Sequence, residues 1–240
     1  MGVPVIGCSC SVCSSNDLHN KRLRPSGLLQ IKEKNFLIDV GPDFREQVLH
    51  YGIEHLDGIL FTHSHFDHTA GFDDLKAFYY MQKKPVPILL SQETFADLKL
   101  RFHYLIDGAS AKFFDFQLLP SNFGFFVFEG IEWHYMSYFQ MGMKVTGFRY
   151  RDFAYISDIR DEVEPVITAL HGVKTLVLSA LRERPSEAHF SLDEAIAFSR
   201  AVKASATWLT HITHELDATK TNQKLPPEIQ LSYDGLRINL

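Results

Sequence analysis

The chain has 240 residues, 45% of them hydrophobic, and a formal net charge of −5, enough for one large domain or two packed halves. Its 24 Lys and Arg are dispersed rather than clustered, which excludes a non-specific electrostatic nucleic-acid binder. No apolar run of about 18 residues occurs, which excludes a transmembrane helix.

The opening MGVPVIGCSCSVC has neither the basic region nor the long apolar segment of a secretory signal, so the expected compartment is the cytoplasm. Residues 26–41 read as two strands around a Lys-Glu-Lys-Asn turn. PDFREQVLHYG (42–52) reads as a helix that opens on Pro42 and closes at Gly52. DGILFTH (57–63) is a short buried strand, FDDLKAFYYMQ (72–82) a helix, PILLS (87–91) a strand and residues 92–106 a helix. A succession of strands follows between 111 and 157. Within it, FFDFQLLPSNFGFFVFE places seven Phe in seventeen residues. This reads as a hairpin with one face in the core; the alternative is an aromatic surface for a homodimer.

The second half repeats the mixture: a helix over 161–172, a buried strand over 174–181, and a helix over 191–204 with a Ser191/Glu194 capping box. ATWLTH (206–211) is a strand, and PEIQLSYDGLRINL gives two final strands. Strands followed by helices in both halves imply an α/β fold of two sheets with helices outside and strand-end loops meeting at one edge.

Chemistry concentrates in LFTHSHFDHTAGFDDL (60–75). Imidazole and carboxylate are the standard ligands of Zn²⁺ and Mn²⁺. His63 and His65 lie two apart on extended chain and can point the same way. Asp67 and His68 begin the turn into the next helix and can face a second ion. The alternative is a solvated His-rich loop, which the clustering straight after a buried strand argues against. Three more polar residues follow the same form. Asp158 stands after DFAYIS, where a carboxylate can bridge two ions, and His211 stands after ATWLT. His189 precedes a helix N-terminus, a place to meet an anionic substrate.

Together the H-x-H-x-D-H motif, LIDVGPDFREQ, FAYISD and LTHITH resemble the metallo-β-lactamase superfamily. Within it the chain is similar to the phosphoribosyl cyclic-phosphate phosphodiesterases, from GVPVIGCSCSVC to YDGLRINL. The resemblance implies one αββα-sandwich domain over residues 1–240 that hydrolyses a small, cyclic phosphodiester with a hydroxide generated on two Mn or Zn ions. It implies His63 and His65 on metal one, Asp67, His68 and His211 on metal two, and Asp158 between them. It gives Asp67 the further task of orienting the hydroxide. His189 would contact the phosphate or protonate the leaving oxygen, and Asp39 would orient a ligand imidazole.

Two departures stand out. Gln140 occupies the place of a further metal-one His, and a Gln amide oxygen is a weak, neutral ligand. His134, six residues upstream, reads as a packing or surface residue. The group also begins with a strand before GVP; either the start codon here is misassigned or the first strand is missing.

Cys8, Cys10 and Cys13 are the only cysteines. Their close spacing argues for a metal before a disulfide, with three free thiols as the alternative. The resemblance supplies His214 as fourth ligand of a structural zinc. A tRNA 3′-end endonuclease, a thioester hydrolase and a degenerate metal-binding protein are the rival readings of the whole chain. The expected partner is a small phosphodiester, with neither a membrane nor a nucleic acid.

Overall fold

The structure is a computed structural model that describes residues 2–240. The chain forms two compact units, one of Arg24–Trp133 and one of the residues up to Leu23 together with His134–Leu240.

In the unit Arg24–Trp133, β1 (Gly27–Ile31) and β2 (Lys34–Ile38) form an antiparallel hairpin. Lys32 and Glu33 both take positive φ, 49° and 66°, as a two-residue turn matched to the strand twist requires. Helices and strands then alternate: α1 (Phe44–Tyr51), β3 (Gly58–Leu60), α2 (Phe66–Thr69), α3 (Lys76–Gln82), β4 (Val86–Leu90), α4 (Gln92–Arg101), α5 (His103–Ile106) and β5 (Phe114–Leu118). The sheet order is β1-β2-β3-β4-β5, parallel from β2 onward. Every residue of β3 and β4 is buried, so both faces of these strands are covered, and this explains the unbroken apolar runs. Phe44, Phe78 and Leu98 from α1, α3 and α4 join Ile59 and Ile88 in the core.

The other unit contains most of β7 (Ile131–Gln140), then β8 (Met143–Tyr150), β9 (Phe153–Ile156), α6 (Val163–Ala169), β10 (Thr175–Ser179), α7 (Leu192–Val202), β11 (Ala206–Thr210), α8 (Ala218–Asn222) and β12 (Ile229–Leu231). Its strands run in the order β12-β11-β10-β9-β8-β7. Neighbours from β9 to β12 are parallel, and β7 to β9 form an antiparallel meander. In each unit the parallel strands bring their C-terminal ends to one edge of the sheet, and the ligand candidates His63, Asp158 and His211, with Asp39, all follow such ends. The two sheets flanked by helices are those of the metallo-β-lactamase fold.

Four expectations need correction. Pro42 lies before the helix, whose N-cap is Asp43. Asp43 accepts from the backbone and guanidinium of Arg24 instead of capping. The helix expected over 92–106 breaks at Phe102 into α4 and α5. The Phe-rich segment is not a hairpin: β5 joins β4, and β6 (Phe123–Phe128) is not among the strands of that sheet. Alternation reports a two-faced strand but not its partner, and Phe125 and Val127 of β6 stay 65% exposed. The second C-terminal strand does not form either. Tyr233 to Leu236 close a turn with Gly235 at φ 88°. Among the described residues no strand precedes β1; Val3 makes a single bridge to Arg22. No helix is long and apolar enough to cross a membrane.

Helix α7 shows how local sequence fixes an element. Ser191 accepts from the Glu194 amide, and the Glu194 carboxylate accepts from the Ser191 amide in return. Ala195, Phe198, Ser199 and Val202 form its buried stripe. Burial pushes the Glu194 carboxyl up, but the Ser191 amide, the Arg160 guanidinium and the Ser191 hydroxyl outweigh it and hold it below its ordinary value. Ser191→Ala should lose about 1 kcal/mol of stability in urea unfolding at neutral pH. A carboxylate with a lowered folded pKa stabilises fully above its unfolded value of 4.5 and loses that contribution as pH falls through the lower folded value. The gap between wild type and variant should therefore shrink below that window.

Candidate metal centre

The centre of the unit Arg24–Trp133 is a buried carboxylate. Asp39 is fully buried and has a φ of 61°, a left-handed conformation that a non-glycine residue keeps only when its surroundings hold it. The backbone around it is pinned: Asp39 N–H donates to Leu60 O, Val40 N–H to His68 O, and Gly71 N–H to Val40 O. Its carboxylate accepts three hydrogen bonds, from Thr62 N (2.8 Å), Thr62 Oγ1 (2.7 Å) and His68 Nδ1 (2.7 Å).

Those bonds assign two tautomers. The His68 proton facing the carboxylate sits on Nδ1, so Nε2 of the neutral ring presents its lone pair. The Thr62 proton goes to Asp39, so Thr62 Oγ1 accepts from His63 Nδ1 at 2.9 Å, which likewise leaves His63 Nε2 as a lone-pair donor. His63 Nε2 lies 3.0 Å from His65 Nδ1, and the rings of His63 and His68 are 4.2 Å apart. Three imidazoles thus gather with two nitrogens already set as ligands. Asp67, half-buried, opens α2 beside His68. Between the histidines, Ser64 donates to Asp97 of α4 at 2.5 Å, and its carbonyl accepts from Arg101.

The second unit has its own cluster. Asp158, 1% exposed and at φ 55°, follows β9. Its Oδ1 lies 3.0 Å from His189 Nδ1, 3.2 Å from Gln140 Nε2 and 3.5 Å from His211 Nε2. Its Oδ2 accepts from Ser157 Oγ at 2.5 Å, and its amide donates to Ser179 Oγ. His211, at φ 59°, stacks on His189 with centroids 4.9 Å apart. The ligand atoms of Asp158, His189 and His211 all lie within 4.8 Å of one another. Gln140 ends β7 with its Nε2 on this carboxylate, while its buried Oε1 accepts no hydrogen bond among the described residues. A buried acceptor without a donor costs about 1–3 kcal/mol, which a cation would offset. His134, in mid-β7, is half-buried; burial and then Arg149 lower its pKa. The roles of Thr62, Ser157 and Ser179 are absent from the sequence reading; the only hint is their position next to ligand candidates or at a strand end.

The same unit holds a sulfur cluster. Cys8, Cys10 and Cys13 place Sγ 3.2, 3.6 and 3.3 Å from His214 Nδ1. A tetrahedral zinc with ordinary Zn–S and Zn–N bonds sets such edges at roughly 3.5 Å, so the donor set fits that ion. The Cys13 amide, donating to Cys10 Sγ, lowers the Cys10 thiol to about 6, whereas burial raises that of Cys13. Cys10 thus offers a thiolate at neutral pH, and a bound divalent cation would favour the ionised form of Cys13.

Residues 34–212 match the family model of the beta-lactamase superfamily domain. The chain belongs to this family, and its His, Asp and Cys clusters fit divalent metals. It is 36% identical to a crystallised diphosphatase from the PhnP family, with a TM-score of 0.91 over 98% of this chain and 91% of that one. It is 26% identical to the anti-Pycsar protein Apyc1 of Paenibacillus harenae, over 90% of this chain and 92% of that one. It is also 30% identical to an octanoyltransferase of Porphyromonas gingivalis, over 98% of this chain, but spans only 48% of that protein. The fold is shared with Zn²⁺-bound PqqB from Methylobacterium extorquens at 17% identity, a TM-score of 0.80, and coverage of 100% of this chain and 96% of that one.

Two substitutions probe this geometry. Asp39→Asn turns one of the two acceptor oxygens into an N–H donor, so the bonds from Thr62 and His68 cannot all form, and it should weaken divalent-metal affinity by about 10- to 100-fold in calorimetric titration. Gly41→Ala directs a Cβ into the Asp67 carbonyl; it should cost about 1–3 kcal/mol in urea unfolding.

Proposed function

We propose that the protein is a phosphodiesterase acting on a small, cyclic phosphodiester with two divalent ions, Mn or Zn. His63, His65 and Gln140 Oε1 serve one ion, Asp67, His68 and His211 serve the other, and Asp158 serves both. A separate structural zinc on Cys8, Cys10, Cys13 and His214 completes the set. The observation that carries the reading is the donor chemistry: imidazole nitrogens fixed as lone-pair donors by Asp39 and Thr62, with carboxylates beside imidazoles in each unit. The likeness to a PhnP-family diphosphatase over nearly the whole chain supports hydrolysis at phosphorus.

Divalent ions at such a site supply a water of lowered pKa and positive charge for phosphoryl oxygens. The chain's own contribution is orientation. Asp67 accepts a hydrogen bond from the attacking water. His189, with Nδ1 against Asp158 and Nε2 3.2 Å from Gln140 Nε2, contacts the phosphate or delivers a proton to the leaving oxygen, a role worth about 10²–10⁴-fold. A single neutral amide oxygen in place of an imidazole makes the first ion the more weakly held of the two.

The test is bis-p-nitrophenyl phosphate turnover with and without Mn²⁺, alongside metal content per chain. Asp67→Ala and His189→Ala should each lose about 10²-fold or more. Equal turnover in all three proteins would end the phosphodiesterase reading. Cyclic phosphate should be preferred over pre-tRNA and thioester substrates assayed in parallel. Gln140→His should retain one more divalent ion through dialysis and raise turnover at limiting Mn²⁺; unchanged retention would remove Gln140 from the ligand set.

A further inference from the structure

His211 and His214 share one short loop after β11, and this loop is gripped by a buried cation that the hydrolase chemistry does not use. Arg22 is 6% exposed. Its Nη1 donates to Thr213 O at 3.1 Å and its Nη2 to Leu216 O at 2.9 Å. Nη2 also reaches Asn20 Oδ1 at 3.2 Å, and Nε donates to His19 O at 3.1 Å. Asn20, itself buried, receives the Ala218 amide on the same Oδ1 and donates to Asp217 Oδ2. A guanidinium can bridge two carbonyls through separate nitrogens in one plane; an ammonium on a flexible stem cannot reproduce that fork.

The second observation is the backbone of His211. Its φ of 59° is a conformation that persists only where the surroundings over-determine it. Thr213 N–H donates to Leu181 O, and Ala180 N–H donates to Thr210 O, which fixes two peptides of the loop. Arg22 holds the carbonyl side at Thr213 and again at Leu216. The loop is therefore held from both faces, and His211 lies between the anchored peptides.

We infer that Arg22 is a positioning residue for His211, a clamp on the 211–216 loop that fixes the imidazole in its ligand geometry. This rests on the reading of His211 as a metal ligand, and the test separates the two. The first readout is the set of histidine imidazole resonances of the protein without added Mn²⁺. The second is Mn²⁺ affinity by calorimetry, with zinc per chain measured alongside.

In Arg22→Ala the His211 resonances should shift or broaden, and Mn²⁺ affinity should fall about 10-fold, with the Cys8–Cys10–Cys13 zinc retained. Millimolar guanidinium chloride should restore both the resonances and the affinity. Arg22→Lys keeps the charge without the fork and should stay at least about 3-fold weakened. Wild-type resonances and affinity in Arg22→Ala, or a loss that guanidinium does not reverse, would overturn the inference. Should Arg22→Ala fail to fold, Arg22→Lys decides it: wild-type behaviour there overturns the clamp. Should wild type bind neither Mn²⁺ nor Zn²⁺ beyond the cysteine-bound ion, the phosphodiesterase reading falls, while the His211 resonances still judge Arg22.

Discussion

The structure around the histidine motif depends on one buried carboxylate. Asp39 sits where β2 ends, takes its three hydrogen bonds from Thr62 and His68, and has no exposure to water. A carboxylate there is tolerable only if every strong acceptor site is answered, so Thr62 and His68 have little freedom in where they stand. The strand ends are in turn locked to each other: Asp39 N–H bonds Leu60 O, and Val40 bonds both His68 and Gly71. Close approach of backbone is the geometric cost, and Gly41 and Gly71 meet it: a Cβ at either would run into a neighbouring carbonyl.

The opposite unit solves the same problem with hydroxyls. Ser157 and Ser179 fix Asp158 from its own strand end and from the neighbouring strand. Asp39, Asp158 and His211 all adopt left-handed backbone. Each lies one or two residues beyond a parallel strand, where the chain must leave the sheet while aiming a side chain along its edge. Strain at three such positions is the kind that accumulates where function fixes geometry.

Much of this was legible in the sequence, for reasons that differ by residue. The histidine motif could be read because its members are neighbours in the chain and follow an apolar strand. The capping box of α7 could be read because its partners are three residues apart. The cysteines pointed to a metal by spacing alone, but His214 lies 201 residues from Cys13, and only resemblance connected them. Thr62 could not be read, since the meaning of its hydroxyl depends on Asp39, 23 residues earlier. The Phe-rich segment failed for a related reason. Its alternation described strands correctly, while the choice of neighbour for β5 and β6 is decided by tertiary pairing. The final Tyr-Asp-Gly carried its own turn signal, which the apolar residues after it obscured.

The way the sulfur cluster closes also sets an order of events during synthesis. One compact unit is a continuous run, Arg24–Trp133, whereas the other joins the first 23 residues to the last hundred or so. At about 5–20 residues per second, the thiols of Cys8, Cys10 and Cys13 leave the ribosome roughly 10–40 s before the imidazole of His214. Within that interval the continuous unit is made, and once Trp133 has emerged it is complete and free to fold while the thiols still wait without their nitrogen partner. The segment that carries the cysteines is thus among the last parts to be secured, and the interval in which its sulfurs are vulnerable is fixed by chain connectivity.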